Sequence, residues 1–247
     1  MRTMTTVPPS PPRARPPASM RGFSLVEIAI VLVIVGFLIG GLVTPLAAQL
    51  EQRRIGETRR ALDEAREALV GYAVRHGHLP CPAISALDGR EDRDGAVCAD
   101  GRRDGFLPWA TLGVAKLDSW NHLYRYSVTL AFADSENRFK LVTPRDISIH
   151  TRDPLGALSA ATAAADIPAV IISHGKNGYG AASETGIASA SAARGNPDEQ
   201  ANAGADTDFV ARQPAGPGTP GGEFDDLVVW VSPNILFNRM VAAQVLP

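Results

Sequence analysis

The longest apolar stretch of the chain lies near its start. From Ile28 to Leu50 no residue is charged, and Glu27 stands immediately before this stretch. An α-helix rises 1.5 Å per residue, so these residues are long enough to cross a bilayer core of about 30 Å. We therefore predict a transmembrane helix over residues 23–50. An ionisable group beside such a span is costly, which indicates a functional role for Glu27. The alternative is an ordinary signal anchor whose acid reaches the interface.

The periodicity changes after Leu50. Apolar side chains now recur at mostly helical spacing, with arginines and glutamates between them; they are Ile55, Leu62, Ala65, Leu69 and Tyr72. This stripe predicts that the same helix continues over residues 51–76 as an amphipathic helix and ends before Gly77. Residues 77–247 then form a globular head.

Short runs of alternating apolar and polar residues follow in the head. They predict strands at residues 124–132, 138–142 with a continuation at 147–149, 167–173 and 227–231, and short helices or turns at 106–114 and 233–245. Because no helix is predicted between the strands, an antiparallel sheet is favoured. Packing the stripe of the long helix on that sheet gives an α+β fold class.

One region of the head shows no periodicity. Residues 186–222 are rich in Ala, Gly, Ser, Asp and Pro. A stretch of this length without structure is uncommon inside a compact domain and is usually functional or disordered. We expect a disordered or irregular loop, with partner contacts as the alternative.

Composition restricts the partners and the compartment. The 247 residues carry a net charge of −2, and no basic block appears, so nucleic-acid binding is not expected. Cys81 and Cys98 are the two cysteines. A disulfide between them would contribute about 3 kcal/mol and would require an oxidising compartment. Two unpaired buried thiols are the alternative.

The residues just before the apolar stretch carry a more specific signal. They read Arg21-Gly22-Phe23-Ser24-Leu25-Val26-Glu27. This segment resembles the processing and assembly signature of the type IV prepilin family, which includes the pseudopilins of type II secretion. The resemblance implies that residues 1–22 are a leader, that a prepilin peptidase cuts between Gly22 and Phe23, and that Phe23 is N-methylated. It also implies that Glu27 pairs with the new amine of a neighbouring subunit.

The resemblance further implies a fold, a location and a function. The fold would be pilin-like, with a long helix, transmembrane in its first half, packed on an antiparallel sheet. The chain would be a single-pass inner-membrane protein with a periplasmic head that later enters a periplasmic or cell-surface filament. We expect a structural subunit of a type IV pilus or type II secretion pseudopilus, and the large, irregular head favours a minor priming or tip component. The alternative is a membrane-anchored periplasmic binding protein that does not polymerise.

The expected partners follow from that role. They are the prepilin peptidase and methylase, other pilin or pseudopilin subunits contacted through the N-terminal helix, the inner-membrane assembly platform, and membrane lipid.

Motifs for enzymatic chemistry are incomplete. Each candidate lacks required residues: Gly175-Lys176 for a phosphate loop, Ser173-His174 for a hydrolase, residues 88–104 for an EF-hand, and His76, His78 and Cys81 for a zinc site. We therefore expect no enzyme and no catalytic residues.

A calcium site is the one metal site that the sequence leaves as an alternative. Some major pseudopilins bind calcium in a loop before the last strand, and residues 173–178 with Phe224-Asp225-Asp226 resemble that region. The carboxylates of Asp225 and Asp226 are hard oxygen ligands suited to calcium. Alternatively, two carboxylates before a strand form a turn or a cap. No other cofactor or metal is expected.

Overall fold

The structure of the chain is a computed structural model that describes residues 22–189, 196–204 and 206–246, without the side chains of residues 39–45. The predicted leader, apart from Gly22, therefore lies outside the described residues. The chain divides into two compact units, residues 1–49 and residues 50–247.

The helices and strands of the described residues have the following bounds. The helices are α1 (Leu25–His76), α2 (Trp109–Leu112), α3 (Leu130–Ala133), α4 (Pro197–Ala203) and α5 (Pro233–Ala242), and a 3-10 turn covers Ala99–Gly101. The strands are β1 (Arg93–Asp94), β2 (Val97–Cys98), β3 (Asp104–Phe106), β4 (Arg125–Val128), β5 (Ser148–Arg152), β6 (Leu158–Ala160), β7 (Ala169–Ser173), β8 (Asp208–Val210) and β9 (Leu227–Trp230).

Helix α1 begins with a capping box. Ser24 precedes the first helical residue, and its Oγ accepts a hydrogen bond from the Glu27 N–H at 3.2 Å. In return, Glu27 Oε2 accepts a hydrogen bond from the Ser24 N–H at 3.4 Å. This reciprocal S-x-x-E pairing satisfies two backbone donors that a helix start leaves open. Glu27 therefore has a local structural role within its own chain.

The predicted transmembrane span is wrong. Among the described residues, no helix has both the length and the apolar character needed to cross a bilayer. The same finding contradicts the transmembrane part of the predicted fold class and the predicted single-pass inner-membrane location.

What stands is an α+β chain, in which a long helix is followed by a β-rich domain. The centre of this domain is a four-stranded antiparallel sheet in the order β3-β4-β7-β9. Strand β7 is buried along its whole length. Its successive side chains point to opposite faces, so Ala169 and Ile171 enter one hydrophobic core and Val170 and Ile172 enter another.

The amphipathic stripe of α1 fills the first core. Its buried side chains contact those of β4 and α5; the cluster includes Leu62, Ala65, Leu69 and Ala73 of α1, Tyr126 and Val128 of β4, and Leu236 and Met240 of α5. This burial explains why the stripe has helical spacing, because one helix face must be apolar to pack on a sheet.

A second, three-stranded sheet covers the other core. Its order is β6-β5-β8, with β5 and β6 antiparallel but β5 and β8 parallel. The predicted single antiparallel sheet did not include this mixed sheet. Parallel pairing requires a long crossover, and the chain between β5 and β8 supplies one that contains α4.

Two predicted strand segments differ from the structure. The segment predicted at residues 124–132 leaves the sheet after Val128 and forms the short helix α3. The segment predicted at residues 138–142 contains no strand. There the Lys140 N–H donates to Thr143 Oγ1 at 2.8 Å, which closes a local turn. The Phe139 ring stacks on that of Phe132 with the ring centroids 4.4 Å apart, so its apolar character serves the core.

Cys81 and Cys98 form the predicted disulfide. Both cysteines are buried and belong to the first core. The loop that they close contains strand β1 and ends in strand β2, which pairs with it.

Candidate functional site

The predicted cleavage site lies just ahead of α1. Gly22 and Phe23 are outside the helix, and the Phe23 side chain is 78 % exposed. A Cβ built on Gly22 meets no atom within 4 Å, so no packing among the described residues requires a glycine at this position. The side chain of Glu27 is also exposed, one helical turn further on.

A second candidate site is an acidic cluster inside the head, formed by Glu199, Asp225 and Asp226. Glu199 lies on α4, and the two aspartates come directly before β9. One carboxylate oxygen from each residue lies within 4.8 Å of the others. Glu199 is 2 % exposed and Asp226 is fully buried, whereas Asp225 is half-buried. Three carboxylates therefore converge where water cannot fully solvate them.

Two asparagines donate hydrogen bonds to the acidic cluster. The Asn177 N–H donates to Asp225 Oδ2 at 2.6 Å, and Asn177 Nδ2 donates to Glu199 Oε1 at 2.8 Å. Asn202 Nδ2 donates to Asp226 Oδ2 at 2.8 Å. The second oxygen of each aspartate, Oδ1, is buried and accepts no hydrogen bond from the described residues. Each aspartate therefore has one hydrogen-bonded oxygen, Oδ2, and one oxygen without a hydrogen-bond donor, Oδ1.

His174 borders the acidic cluster. It follows the last residue of β7 and is 1 % exposed. Its Nδ1 lies 3.4 Å from Asp226 Oδ1, but within the described part of the chain neither ring nitrogen makes a hydrogen bond. A fully buried polar ring therefore faces the acidic cluster with unused hydrogen-bonding capacity, which is rare in folded proteins.

Burial and mutual repulsion raise the pKa values of two acids of the cluster. Burial raises the pKa of Asp225 to about 7, and the negative charges of Asp226 and Glu199 act in the same direction. Burial also raises the pKa of Glu199, and the charge of Asp226 adds to it, although the hydrogen bond from Asn177 opposes the shift. In the described residues no lysine or arginine forms an ion pair with any member. Among the described residues, His174 is therefore the one ionisable base within ion-pair distance of the cluster.

Local sequence features hold these groups in place. Asn196 caps α4 by accepting hydrogen bonds from the N–H groups of Asp198 and Glu199, with Pro197 as the first helical residue. Gly175 has a φ of 55°, and a Cβ there would lie 2.3 Å from the Asp225 carbonyl oxygen. Only glycine allows the β7 end to approach the segment before β9 this closely.

Asp198, the residue before Glu199 on α4, is a buried carboxylate that has countercharges. Asp198 is as buried as Glu199, but Arg152 Nη2 lies 2.6 Å from its Oδ1 and Arg212 Nε lies 2.9 Å from its Oδ2. This ion pair attaches α4 to β5 and to the chain after β8. The described residues supply two arginines to Asp198 and neither an arginine nor a lysine to Glu199.

The structure brings some predicted site residues together and separates others. The loop at residues 173–178 and the pair Asp225-Asp226 lie in contact, since the Asn177 N–H donates to Asp225 Oδ2. Glu199 and Asn202 were missed, because they lie in the stretch predicted as a disordered or irregular loop. The signal was the Asn196-Pro197 step followed by acidic residues, which is typical of a helix start.

The histidine and cysteine group considered for zinc is otherwise engaged. Cys81 is in the disulfide, His78 Nδ1 lies 3.1 Å from Arg93 Nη2, and the His76 ring stacks on that of Tyr72 with the centroids 4.3 Å apart. A positively charged neighbour and an oxidised cysteine do not make a zinc site.

Comparison of the chain with protein-family models, with curated proteins and with solved structures finds no match.

Proposed function

We propose that the chain is a structural subunit of a filament of the type IV pilin class, either a pilus or a secretion pseudopilus. In this proposal the segment before α1 is cut between Gly22 and Phe23 by a prepilin peptidase, and Phe23 is methylated. Copies then assemble through the start of α1. A minor priming or tip component suits the large head better than a major subunit.

The exposed apolar start of α1 carries the proposal. Phe23, Leu25 and Phe37 are 78 %, 88 % and 80 % exposed, and most of the other large apolar side chains up to Leu38 are at least half exposed. Contiguous exposed apolar surface marks an interaction site. Because apolar side chains point in all directions around the helix, a bundle of like helices covers them better than one flat partner.

Gly22 and Glu27 support the same proposal. Gly22 has no Cβ, which suits the close backbone approach that cleavage in a peptidase cleft needs, and its surroundings among the described residues are open. The cut would leave a cationic amine on Phe23, and a carboxylate on a neighbouring copy is its natural partner in an apolar bundle.

Processing is tested by measuring the intact mass of the full chain, expressed with and without a prepilin peptidase. We expect the peptidase to remove residues 1–22 and add one methyl group. Gly22→Val should block the cut, whereas Gly56→Val, at another glycine with open space around it, should be processed normally. An uncut wild-type chain in the presence of active peptidase contradicts the proposal.

The assembly role of Glu27 must be separated from its role in the capping box. Glu27→Gln retains a capping side chain but loses the charge, Glu27→Ala loses both, and Ser24→Ala loses the cap but keeps the charge. We expect Ser24→Ala to enter filaments, and both Glu27 variants to be processed but excluded from them, as judged by sedimentation and electron microscopy. Normal assembly of Glu27→Gln would show that Glu27 serves only as a cap.

A further inference from the structure

We propose that the free edge of strand β9 binds an extended segment of another polypeptide, which adds a strand to the central sheet. The segment would be about four to six residues long and apolar, with an acidic residue at the end that lies near Leu227. The inference depends on contacts within the head and goes beyond the filament function, because the exposed apolar start of α1 takes no part in it.

Strand β9 leaves one side of its backbone unpaired. It is the last strand of the central sheet, and its partner is β7. The Val231 N–H donates to the Ala169 carbonyl oxygen at 2.9 Å, which fixes which residues of the strand bond to β7. Because alternate residues of an antiparallel pair bond to the partner, the N–H and C=O groups of Val228 and Trp230 point away from β7. In the part of the chain that the structure describes, no hydrogen bond reaches these groups, so the edge is open to another strand.

A slot runs along this edge. It consists of two adjoining cavities of about 310 and 440 Å³, both lined by Val228, Val229 and Trp230. The larger cavity also touches Leu62 of α1 and Ala211 after β8. These two residues pack on opposite faces of the central sheet, Leu62 in the first core and Ala211 beside the core under the second sheet. A cavity that reaches both must pass the edge of the central sheet, and β9 is the strand at that edge.

The walls of the slot define which side chains fit. Val70 and Ile235 line it on the side of α1 and α5, and Ala211 lines it on the side of the second sheet. A strand points its side chains alternately to two faces, so both faces of an added strand would meet apolar walls. Strands that are buried on both faces are typically continuous apolar runs. The slot therefore fits an apolar segment better than one that alternates with polar residues.

The Leu227 end of the slot offers a positive charge. Arg59 lines the slot there and is exposed, and its Nη2 donates to Gln213 Oε1 at 3.0 Å. Asp63, the acid that lines the same cavity, pairs with Arg66 at 3.1 Å. Among the described residues Arg59 has no acidic partner of its own. A carboxylate on the bound segment would supply one, and this complementary charge fixes the end at which the acidic residue lies.

The sequence of β9 does not protect its edge. Free edges are commonly blocked by a lysine, a proline or an inward-pointing charge. Residues 227–230 are Leu, Val, Val and Trp, and contain none of these. Strand β6 is also an uncharged edge strand, but all three of its residues are exposed. It therefore serves as the control edge.

The test titrates the full chain with two synthetic peptides, each a short run of valines with a glutamate at either its amino or its carboxyl end. We expect one of them to bind in calorimetry and to slow hydrogen exchange of the Val228 and Trp230 amides by at least about tenfold. The outward amides of the control edge, Leu158 and Ala160, should exchange as before. If neither peptide protects Val228 and Trp230, the proposal is overturned.

Proline variants test the backbone pairing. Val228→Pro removes an N–H that points away from β7, so β9 should keep its place in the sheet. We expect it to weaken peptide binding by about tenfold, because the ladder with the peptide is broken. Leu158→Pro makes the same change at an outward N–H of β6 and should bind the peptide as wild type does. Equal affinities of the two variants contradict binding at the β9 edge.

A charge reversal remains informative if Val228→Pro folds poorly. Arg59→Glu should weaken binding of the glutamate peptide by up to about fivefold. Arg60→Glu changes the next residue of α1, which is also exposed but does not line the slot, and should have no effect. The same affinity in both variants would refute the acidic partner.

A second copy of the chain is the competing occupant of the slot. Without peptide, the exchange of the Val228 and Trp230 amides should not depend on the concentration of the chain. Protection that grows with concentration would show that another copy fills the slot, and it would overturn the assignment to a different polypeptide.

Discussion

Glu91 and the acidic cluster of Glu199, Asp225 and Asp226 are acids of the head that little solvent reaches, but their hydrogen-bond partners differ. Around Glu91, Arg93 Nη2 donates to Oε2 at 3.0 Å, the Cys81 N–H donates to Oε2 at 3.1 Å, and the Tyr72 hydroxyl donates to Oε1 at 2.6 Å. The acidic cluster accepts hydrogen bonds from amide groups, but no arginine or lysine among the described residues forms an ion pair with it. Glu91 therefore has both hydrogen-bond donors and a countercharge, whereas Glu199, Asp225 and Asp226 have no arginine or lysine as a countercharge among the described residues.

The titration of the two sites reflects this difference. Burial alone would raise the pKa of Glu91, but the hydrogen bonds from Tyr72 and Cys81 and the charge of Arg93 outweigh it and lower the pKa overall. Burial and like charges instead raise the pKa of Asp225 to about 7. A buried carboxylate with internal donors and a countercharge is held in its charged form, whereas burial beside other carboxylates favours the neutral form.

Removing the countercharge of Glu91 should have the largest effect. Arg93→Ala leaves Glu91 buried without its cation and also removes the donors to the carbonyl oxygens of Ala96 and Ala133. We expect a loss of about 3 kcal/mol in the free energy of unfolding, measured by urea denaturation with the disulfide intact. Arg90→Ala breaks the exposed ion pair with Asp88 and should cause no measurable change. Equal effects of the two variants would contradict a scaffold role for Glu91.

The contact between Gly175 and Asp225 should be next in size. Gly175→Ala combines a φ of 55° with a Cβ placed 2.3 Å from the Asp225 carbonyl oxygen. We expect a cost of about 2–3 kcal/mol in urea denaturation. Gly95→Ala has a φ of 58° but meets no atom within 4 Å, so it should cost only about 1 kcal/mol for the backbone strain. The difference between the variants measures how tightly the β7 end packs on the acidic cluster, and no difference would show that this packing is loose.

The two sites should respond to pH with opposite signs. Asp225 has a folded pKa of about 7, above its ordinary value of 3.8, so its stabilising contribution is complete below pH 3.8 and is lost as pH rises through 7. Glu91 has a lowered pKa, so its contribution is complete above pH 4.5 and is lost as pH falls through the folded value. In metal-free buffer we therefore expect the free energy of unfolding to fall as the pH rises from 4 to 8.

The Asp225 variant assigns this pH response. Asp225→Asn should reduce the decrease between pH 4 and pH 8, leaving the smaller part that comes from Glu199, whose pKa is also raised, and should leave the acid-side loss in place. The measurement is the urea midpoint across this range. An undiminished decrease in Asp225→Asn would place the titrating group elsewhere.

The head was partly predictable because its main elements have one apolar face. The spacing of Leu62, Ala65 and Leu69 predicts a helix that packs on a sheet, and the apolar run at residues 167–173 predicts the central strand β7. Residues 138–142 show the limit of this reasoning. Phe139 is apolar because it stacks on Phe132, and a single-sequence pattern does not distinguish a core residue in a turn from one in a strand.

The acidic cluster was predictable only in part, because its members are far apart in the chain. Asp225 and Asp226 stand out as a pair before a strand, but their partner Glu199 lies in a stretch with no hydrophobic periodicity. Only the crossover between β5 and β8 brings α4 to this edge of the sheet. For Glu27, the resemblance to prepilins drew attention to assembly, while the S-x-x-E spacing with Ser24 already contained the capping box.

The smallest effect on stability is expected from removing the Tyr72 hydroxyl, which donates a hydrogen bond to Glu91. Tyr72→Phe removes the donor to Glu91 Oε1, and we expect a loss of about 1 kcal/mol in urea denaturation. Tyr124→Phe is the matched control, since the Tyr124 hydroxyl is buried without a hydrogen-bond partner among the described residues. Its removal should leave the stability unchanged or slightly raised, because no bond is lost and a buried polar group disappears. Both changes delete one oxygen from a buried tyrosine of the same core. If Tyr124→Phe lowered the free energy of unfolding as much as Tyr72→Phe, the effect would come from packing and not from the hydrogen bond to Glu91.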